Sequence, residues 1–188
     1  MPKYVAFLRA INVGGHVVKM DRLRQPFVDL GFKSVETFIA SGNVIFEPPV
    51  LGIGTLEAKI AARLEEALGY EVATFIRTLG EVAAIAACRP FTPEDLAGAA
   101  AFNVALLKDA LSKEKEKALG GLKTSVDDFR VKGAEVYWLC RARQSESKFS
   151  NAVFERTLRV QATFRSMRTM ERLAVKYPAQ ASRTTRFT

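Results

Sequence analysis

The sequence predicts an α+β protein made of two ferredoxin-like subdomains in tandem, each a β-α-β-β-α-β unit extended by one helix. Three observations support this prediction. Strand and helix patterns follow one another in that order twice along the 188 residues. Each half contains a turn signal that joins its second and third strands into a hairpin. Each half also ends in a capping pattern that opens the additional helix.

The elements of the first half follow from apolar periodicity. Strands are predicted at Tyr4–Leu8, Val35–Ala40, Asn43–Glu47 and Glu71–Arg77. Helices are predicted at about Asp21–Leu30, Leu56–Leu68 and Thr78–Cys88. Gly31 and Gly69 stand where left-handed helix caps are expected. Pro90 and Pro93 then mark a connection, which predicts a first subdomain at 1–90 and a second at 100–177.

The second half repeats this order. Strands are predicted at Phe102–Leu107, Asp128–Val131, Glu135–Cys140 and Gln161–Arg165. Helices are predicted at Ser112–Leu119, Ser147–Arg159 and Thr169–Tyr177, the last with Thr169 as its capping residue. The two halves also share a short sequence similarity, since Arg77-Thr78-Leu79 and Arg168-Thr169-Met170 each follow a Thr-Phe pair. Residues 178–188 are predicted to form a basic tail.

Bulk composition indicates a folded protein outside the membrane. Hydrophobic residues make up 48% of the chain and charged residues 26%, which argues against disorder. No apolar run reaches the roughly 20 residues that span a bilayer, and the N-terminus lacks a secretory pattern. Cys88 and Cys140 are interpreted as reduced, buried residues, so a cytoplasmic location is expected. One histidine and no paired cysteines argue against a metal or haem site, and no cofactor is implied.

The whole net charge of +8 comes from the last quarter of the chain. Residues 1–140 carry 17 basic and 17 acidic side chains, whereas residues 141–188 carry 11 and 3. Nine of these eleven are arginines, whose planar fork suits phosphate or carboxylate oxygens. The clustering therefore favours an anionic partner.

The assumed topology brings two arginine-rich segments of the second half to one sheet edge, each at the start of a helix. Helix N-termini favour anions through their free N–H groups and dipole. The candidate anion-binding residues are Arg141, Arg143, Lys148, Asn151, Arg165 and Arg168. The alternative is a solvated edge that is neutralised by its own acids, Glu146 and Glu171. Arg159 is not a candidate, because Glu155 lies four residues before it and is expected to pair with it.

In the first half, the loop after the first strand and the second-to-third-strand hairpin are expected at one edge. Candidate ligand-binding residues there are Arg9, Asn12, Gly14, Gly15, Ser41, Gly42 and Asn43. The glycines permit close backbone approach, and the polar side chains supply short donors and acceptors. The alternative is that these residues only shape turns. His16 is the only obvious proton carrier, and no partner marks it as catalytic, so no catalytic residue is assigned.

The chain resembles the domain of unknown function 1697 family, a group of uncharacterised bacterial α/β proteins. The resemblance is carried by segments 4–15, 38–46, 147–152 and 162–169. Ala10 stands where the family usually has glycine, and Ser166-Met167 stand where it has Asn-Trp. The resemblance implies paired ferredoxin-like units and no particular activity.

Three functional hypotheses follow from these residues. The first is a binding protein for a phosphate-bearing ligand, either nucleic acid or a nucleotide, held at the arginine-rich C-terminal edge. The second is an enzyme that acts on a small polar substrate in a cleft between the subdomains, with the Arg9–His16 loop and the Ser41–Asn43 turn. The third is a module that binds an acidic protein. The sequence leaves enzymatic activity and oligomeric state open.

Overall fold

The computed structural model describes residues 2–9, 11, 18–39, 42–49 and 51–179, which form eight strands and seven α-helices. The first half comprises β1 (Tyr4–Leu8), α1 (Met20–Asp29), β2 (Lys33–Phe38), β3 (Asn43–Glu47), α2 (Ile53–Leu68), β4 (Thr74–Thr78) and α3 (Leu79–Ala87). A short helix that was not predicted, α4 (Pro93–Ala97), leads to the second half. The second half comprises β5 (Ala101–Leu106), α5 (Lys113–Gly120), β6 (Asp127–Lys132), β7 (Glu135–Cys140), α6 (Asn151–Leu158), β8 (Thr163–Ser166) and α7 (Met167–Lys176).

Each half contains one four-stranded antiparallel sheet, and the two sheets share the same strand order. The order is β2-β3-β1-β4 in the first sheet and β6-β7-β5-β8 in the second. The central strand β1 pairs with β3 and β4, as β5 pairs with β7 and β8. Val5 of β1 lies opposite Arg77 of β4, and Val104 of β5 lies opposite Arg165 of β8. The two halves therefore place an arginine at the same position of their last strand.

The two sheets turn one face outward and one face toward each other. The outward face of the first sheet packs against α1 and α2, and that of the second packs against α5 and α6. The inward faces share a third apolar cluster with α3 and α7, which also contact each other. Val5 and Phe7 from β1 and Val104 and Leu106 from β5 lie in this cluster. The boundary between the halves is therefore a continuous apolar core, and polar groups buried at it need partners from the protein.

The last helices of the two halves begin in the same way. Thr78 caps α3 in a reciprocal capping box with Glu81. Ser166 caps α7, and its hydroxyl accepts the backbone N–H of Thr169 at 3.2 Å. The prediction that Thr169 caps the last helix is thus wrong, because Ser166 ends β8 and already supplies the capping oxygen.

The start of α6 also differs from the prediction. The helix begins at Asn151, with Ser150 as its cap, rather than at Ser147. The Ser147 hydroxyl instead donates to a carboxylate oxygen of Asp127 at 2.7 Å. A tertiary hydrogen bond therefore holds Ser147 outside the helix. Every helix in the part of the chain that the structure describes is too short or too polar to cross a bilayer.

Candidate functional site

Arg165 of β8 is buried at the boundary between the two halves, with 9% of the residue exposed. Its Nε donates to Oδ1 of Asn43 at 2.7 Å, and its Nη2 donates to the carbonyl oxygens of Leu8 at 3.0 Å and Gly42 at 3.3 Å. Its Nη1 donates to two oxygens of its own strand, each at 2.8 Å. All five N–H groups are thus taken by oxygens of the chain, three of which belong to the first half.

The charge of Arg165 has no acidic partner among the described residues. Its nitrogens contact a side-chain amide, a hydroxyl and backbone carbonyls, and its guanidinium carbon lies 5.6 Å from the centre of the Phe7 ring. Burial lowers the pKa of Arg165 to about 10, since removal from water disfavours the charged form. A positive charge is therefore fixed inside the protein, and the groups of the described residues that contact it are neutral.

Arg77 of β4 makes the corresponding contacts in the opposite direction. Its Nη2 donates to the carbonyl oxygen of Leu107 at 2.7 Å, and its Nη1 donates to that of Ile76 at 2.9 Å. Its Nε donates to Oε1 of Glu135 at 2.9 Å. Arg77 is 6% exposed. Each half thus inserts one arginine into the edge of the other half, and only Arg77 meets a carboxylate there.

The hydrogen bonds around these arginines establish which residues are equivalent. The Leu8 N–H donates to the carbonyl oxygen of Gly42 at 2.8 Å in the first half, and the Leu107 N–H donates to the carbonyl oxygen of Ala134 at 3.0 Å in the second. The residues that follow these acceptors, Asn43 and Glu135, both begin the strand after the hairpin turn. We call Arg9, Gly42, Asn43, Glu155 and Arg165 the Arg165 edge. We call Glu57, Arg77, Lys108, Ala134 and Glu135 the Arg77 edge.

Arg9 links the Arg165 edge to helix α6. Its Nε donates to Oε1 of Glu155 at 2.8 Å, and its Nη2 donates to Oε2 of the same carboxylate. Glu155 Oε1 also accepts the backbone N–H of Ala162 at 2.9 Å. The predicted pairing of Glu155 with Arg159 is therefore wrong, because the packing of the two halves gives Glu155 a bidentate partner, Arg9, directly after β1. The Arg9 side chain remains 39% exposed.

The structure brings together those first-half candidates that it describes. Arg9, Gly42 and Asn43 all lie at the Arg165 edge. Gly42 has a φ of +71°, and a Cβ there would lie 3.1 Å from Ile11 Cγ1 and 3.2 Å from the Leu8 backbone oxygen, so glycine is required at this turn. The remaining candidates lie outside the described residues: Asn12, Gly14, Gly15, His16 and Ser41.

The second-half candidates do not form one cluster. Arg165 is buried, as described above. Arg141 is exposed and its Nη2 donates to Asp95 Oδ1 at 2.6 Å, which lowers the pKa of that carboxyl. The other four are exposed: Arg143, Lys148, Asn151 and Arg168. Asn151 lies one helical turn before Glu155 on α6, and therefore on the helix face that meets Arg9.

The Arg77 edge, which the sequence interpretation missed, borders a cavity of about 610 Å³. Its lining includes Glu57, Glu81, Asp109 and Lys108 beside Arg77 and Glu135. Burial raises the pKa of Glu57, whose Oε1 accepts the N–H of Ile76 at 3.0 Å. Alignment of Arg77 with Arg165, instead of with Arg168, is the sequence signal that would have identified this edge.

No metal centre is suggested by the described residues, since none of their His, Cys, Asp and Glu side chains form a group of three or more that could hold an ion. The arrangement offers a fixed positive charge at one edge and a mixed, mainly acidic cavity at the other.

Comparison with known proteins places the chain in a family. A conserved bacterial protein of Streptococcus pneumoniae, SP0830, has a similar structure, with a TM-score of 0.72 and 22% sequence identity over 94% of this chain and 98% of that one. No curated protein shows significant similarity. The family described as "Protein of unknown function (DUF1697)" matches residues 1–137. This match spans more than half of the sequence, and the chain therefore belongs to the DUF1697 family.

Proposed function

We propose that the protein binds a small phosphate-bearing ligand at the Arg165 edge, between its two halves. The observation that carries the proposal is the contrast between the two buried arginines. Arg77 is neutralised by Glu135, whereas Arg165 meets the neutral amide of Asn43. A charge that is fixed and only weakly screened inside the protein attracts an anion at the adjacent surface more strongly than an exposed lysine or arginine does.

In this proposal Arg165 acts through its charge rather than through direct hydrogen bonds. Its five N–H groups already have acceptors, so the ligand needs other donors. Arg9 is partly exposed beside it, with Nε and Nη2 already on Glu155, so it offers only its remaining N–H groups and its charge. Asn151 and Arg168 are exposed on the helices that flank it. The candidates Asn12, Gly14, Gly15 and Ser41 lie outside the described residues, in chain segments that flank Arg9 and Gly42 in sequence, and they stay predictions.

This proposal combines two of the sequence hypotheses. The phosphate-bearing ligand comes from the first hypothesis, and the position between the subdomains comes from the second. The burial of Arg165 and the pairing of Arg141 with Asp95 support a compact site over an extended C-terminal surface. We propose binding rather than catalysis, because no described side chain at the Arg165 edge stands out as a nucleophile or a general base.

Titration calorimetry with inorganic phosphate, pyrophosphate and ATP tests the proposal. Arg168→Ala is expected to weaken binding several-fold, because the side chain is exposed at the start of α7, three residues after Arg165. Arg156→Ala is the matched control, since Arg156 is exposed on α6 and its loss changes the net charge equally. No heat with any of the three anions, or equal losses in both variants, would remove the support for this site.

Nucleic acid is the competing phosphate-bearing partner, and anisotropy with labelled single-stranded RNA and duplex DNA separates the two. Binding through Arg143, Lys148 and Arg168 on the exposed surface would weaken steeply between about 50 and about 200 mM salt. Binding of a small anion at one site would show a much shallower dependence.

We also propose that each sheet with its helices is a ferredoxin-like subdomain, at 1–90 and 100–177. The shared strand order and the equivalent arginines support this division. Cys88 and Cys140 are free and buried, which supports the cytoplasmic location expected from the sequence.

A further inference from the structure

The two edges differ in charge at a second pair of equivalent positions. Glu81 is the third residue of α3 and follows the capping residue Thr78. Thr169 is the third residue of α7 and follows the capping residue Ser166. In each half the capping residue comes directly after the buried arginine, so Glu81 and Thr169 occupy the same position relative to Arg77 and Arg165.

The carboxylate of Glu81 faces the Arg77 edge. It accepts the Thr78 N–H at 2.7 Å and the Thr78 hydroxyl at 2.8 Å, and it lines the same cavity as Arg77 and Glu135. In the other half, the Thr169 hydroxyl lies 3.0 Å from the Ser166 hydroxyl and brings no charge. Two carboxylates beside Arg77, those of Glu81 and Glu135, thus stand at positions where the other half has the neutral side chains of Thr169 and Asn43. The carboxylate of the Arg165 edge, Glu155, is paired with Arg9.

We infer that Asn43 and Thr169 determine anion specificity, by leaving the charge of Arg165 uncompensated, and that Glu81 and Glu135 exclude anions from the equivalent Arg77 edge. The inference rests on the proposed function, because it names the residues that restrict the same site to one of two similar edges. A carboxylate within several ångströms of a bound phosphate opposes it by like-charge repulsion. One protein molecule is therefore expected to bind one anion, although its fold offers two related edges.

Thr169→Glu and Thr169→Gln form the test pair. Both new side chains can accept a hydrogen bond from the backbone N–H of Ser166, as Glu81 accepts that of Thr78. Both variants should therefore form a capping box and stay folded. Only Thr169→Glu adds a charge. We expect Thr169→Gln to bind inorganic phosphate and pyrophosphate like the unmodified protein. We expect Thr169→Glu to bind them about tenfold more weakly, with an unchanged or higher melting temperature.

Asn43→Asp gives a second test at the other position. The substitution keeps the shape of the side chain and sets a carboxylate oxygen against Arg165 Nε, in the way that Glu135 meets Arg77. It also removes the hydrogen bond from Asn43 Nδ2 to the carbonyl oxygen of Phe38, so the melting temperature is measured together with the affinity. It should weaken binding of the same anions about tenfold. Calorimetry should give a stoichiometry of one for the unmodified protein.

The outcomes separate the inference from the proposed function. If the unmodified protein binds pyrophosphate and Thr169→Glu binds it equally well, the inference is wrong and the site stands. If Thr169→Gln and Thr169→Glu lose affinity equally, the effect is one of shape and the charge argument is wrong. If the unmodified protein binds neither anion, the proposed function fails and the inference fails with it.

Discussion

Arg77 and Arg165 reach across the boundary between the two halves in opposite directions and make matching hydrogen bonds. Nη2 of Arg77 donates to the carbonyl oxygen of Leu107, directly after β5. Nη2 of Arg165 donates to the carbonyl oxygen of Leu8, at the end of β1. Nε of Arg77 donates to the side chain of Glu135, and Nε of Arg165 donates to that of Asn43. Each acceptor is the first residue of the strand that follows the hairpin turn of the opposite half. The hydrogen bonds of Arg77 and Arg165 thus join the two halves at the edges of their shared apolar core.

The first prediction concerns the stability of this connection. Arg77→Met leaves the Glu135 carboxylate without its partner at a site where that side chain is 17% exposed. The free energy of unfolding should fall by about 3 kcal/mol, because an unpaired, largely buried charge remains. Denaturant unfolding measures the change. Arg89→Met is the control, since Arg89 and Glu171 are each 45% exposed and their pairing should contribute less than about 1 kcal/mol. Similar small losses in both variants would mean that the Arg77 contacts contribute little.

The second prediction concerns the hairpin turn that accepts Arg165. Gly42→Ala adds a Cβ that must lie 3.1 Å from Ile11 Cγ1 at a φ of +71°, so it should cost about 2 to 3 kcal/mol. Gly31→Ala is a matched control, because Gly31 has a φ of +77° but nothing within 4 Å of the added atom. It should cost only about 1 kcal/mol, the cost of the left-handed conformation by itself. Equal losses of melting temperature would show that close approach at Gly42 is unimportant.

The third prediction is a pH dependence at Glu57. Burial raises the pKa of Glu57 in the folded protein, so the folded state binds a proton at a higher pH than the unfolded state does. Its contribution to stability therefore increases as the pH falls through the folded pKa, and it becomes constant below the unfolded pKa. Glu57→Gln keeps an acceptor for the Ile76 N–H and removes the charge, so it should be more stable than the unmodified protein at pH 7.

Melting temperatures between pH 7 and pH 4 check this dependence. The advantage of Glu57→Gln should shrink as the pH falls. Glu65→Gln, at an exposed position of the same helix, is the matched control for the loss of one carboxylate. An advantage that stays constant with pH would contradict the role of the buried charge.

The fourth prediction concerns Asn103 of β5, which is 8% exposed. Its Nδ2 has no hydrogen-bond partner within the described residues. Asn103→Leu has a similar shape and removes this unsatisfied donor, so it should stabilise the fold by about 1 kcal/mol in denaturant unfolding. Asn103→Asp should act in the opposite direction, because it exchanges the amide for a buried charge. A loss of stability in Asn103→Leu would show that the amide is satisfied in solution.

Much of the fold could be predicted from the sequence, because it depends on local patterns. A short run of apolar residues marks the strand Asn43–Glu47, and i, i+4 spacing of apolar residues marks α2. The matching element order of the two halves then predicts that each sheet has the same strand order. The sequence does not place a helix start where two nearby hydroxyl residues can each act as the cap, and α7 is capped by Ser166 rather than by Thr169.

The contacts between the halves could not be predicted in this way. Glu155 has an arginine four residues later in sequence, yet it pairs with Arg9, which lies 146 residues away. Arg165 has the sequence features of a surface anion ligand, yet the packing of two sheets buries it against Asn43. Such pairs depend on how the sheet faces meet, and no spacing in the sequence encodes that.

The most direct measurement of the central claim follows the guanidinium Nε–H resonances of Arg165 and Arg77 by nuclear magnetic resonance during titration with pyrophosphate. Both groups are buried and hydrogen-bonded, so their Nε–H signals should be protected from exchange. The proposed site predicts that the Arg165 signal shifts and saturates with the ligand, while the Arg77 signal stays in place. Binding that shifts both signals equally, or neither of them, would contradict an anion site at the Arg165 edge.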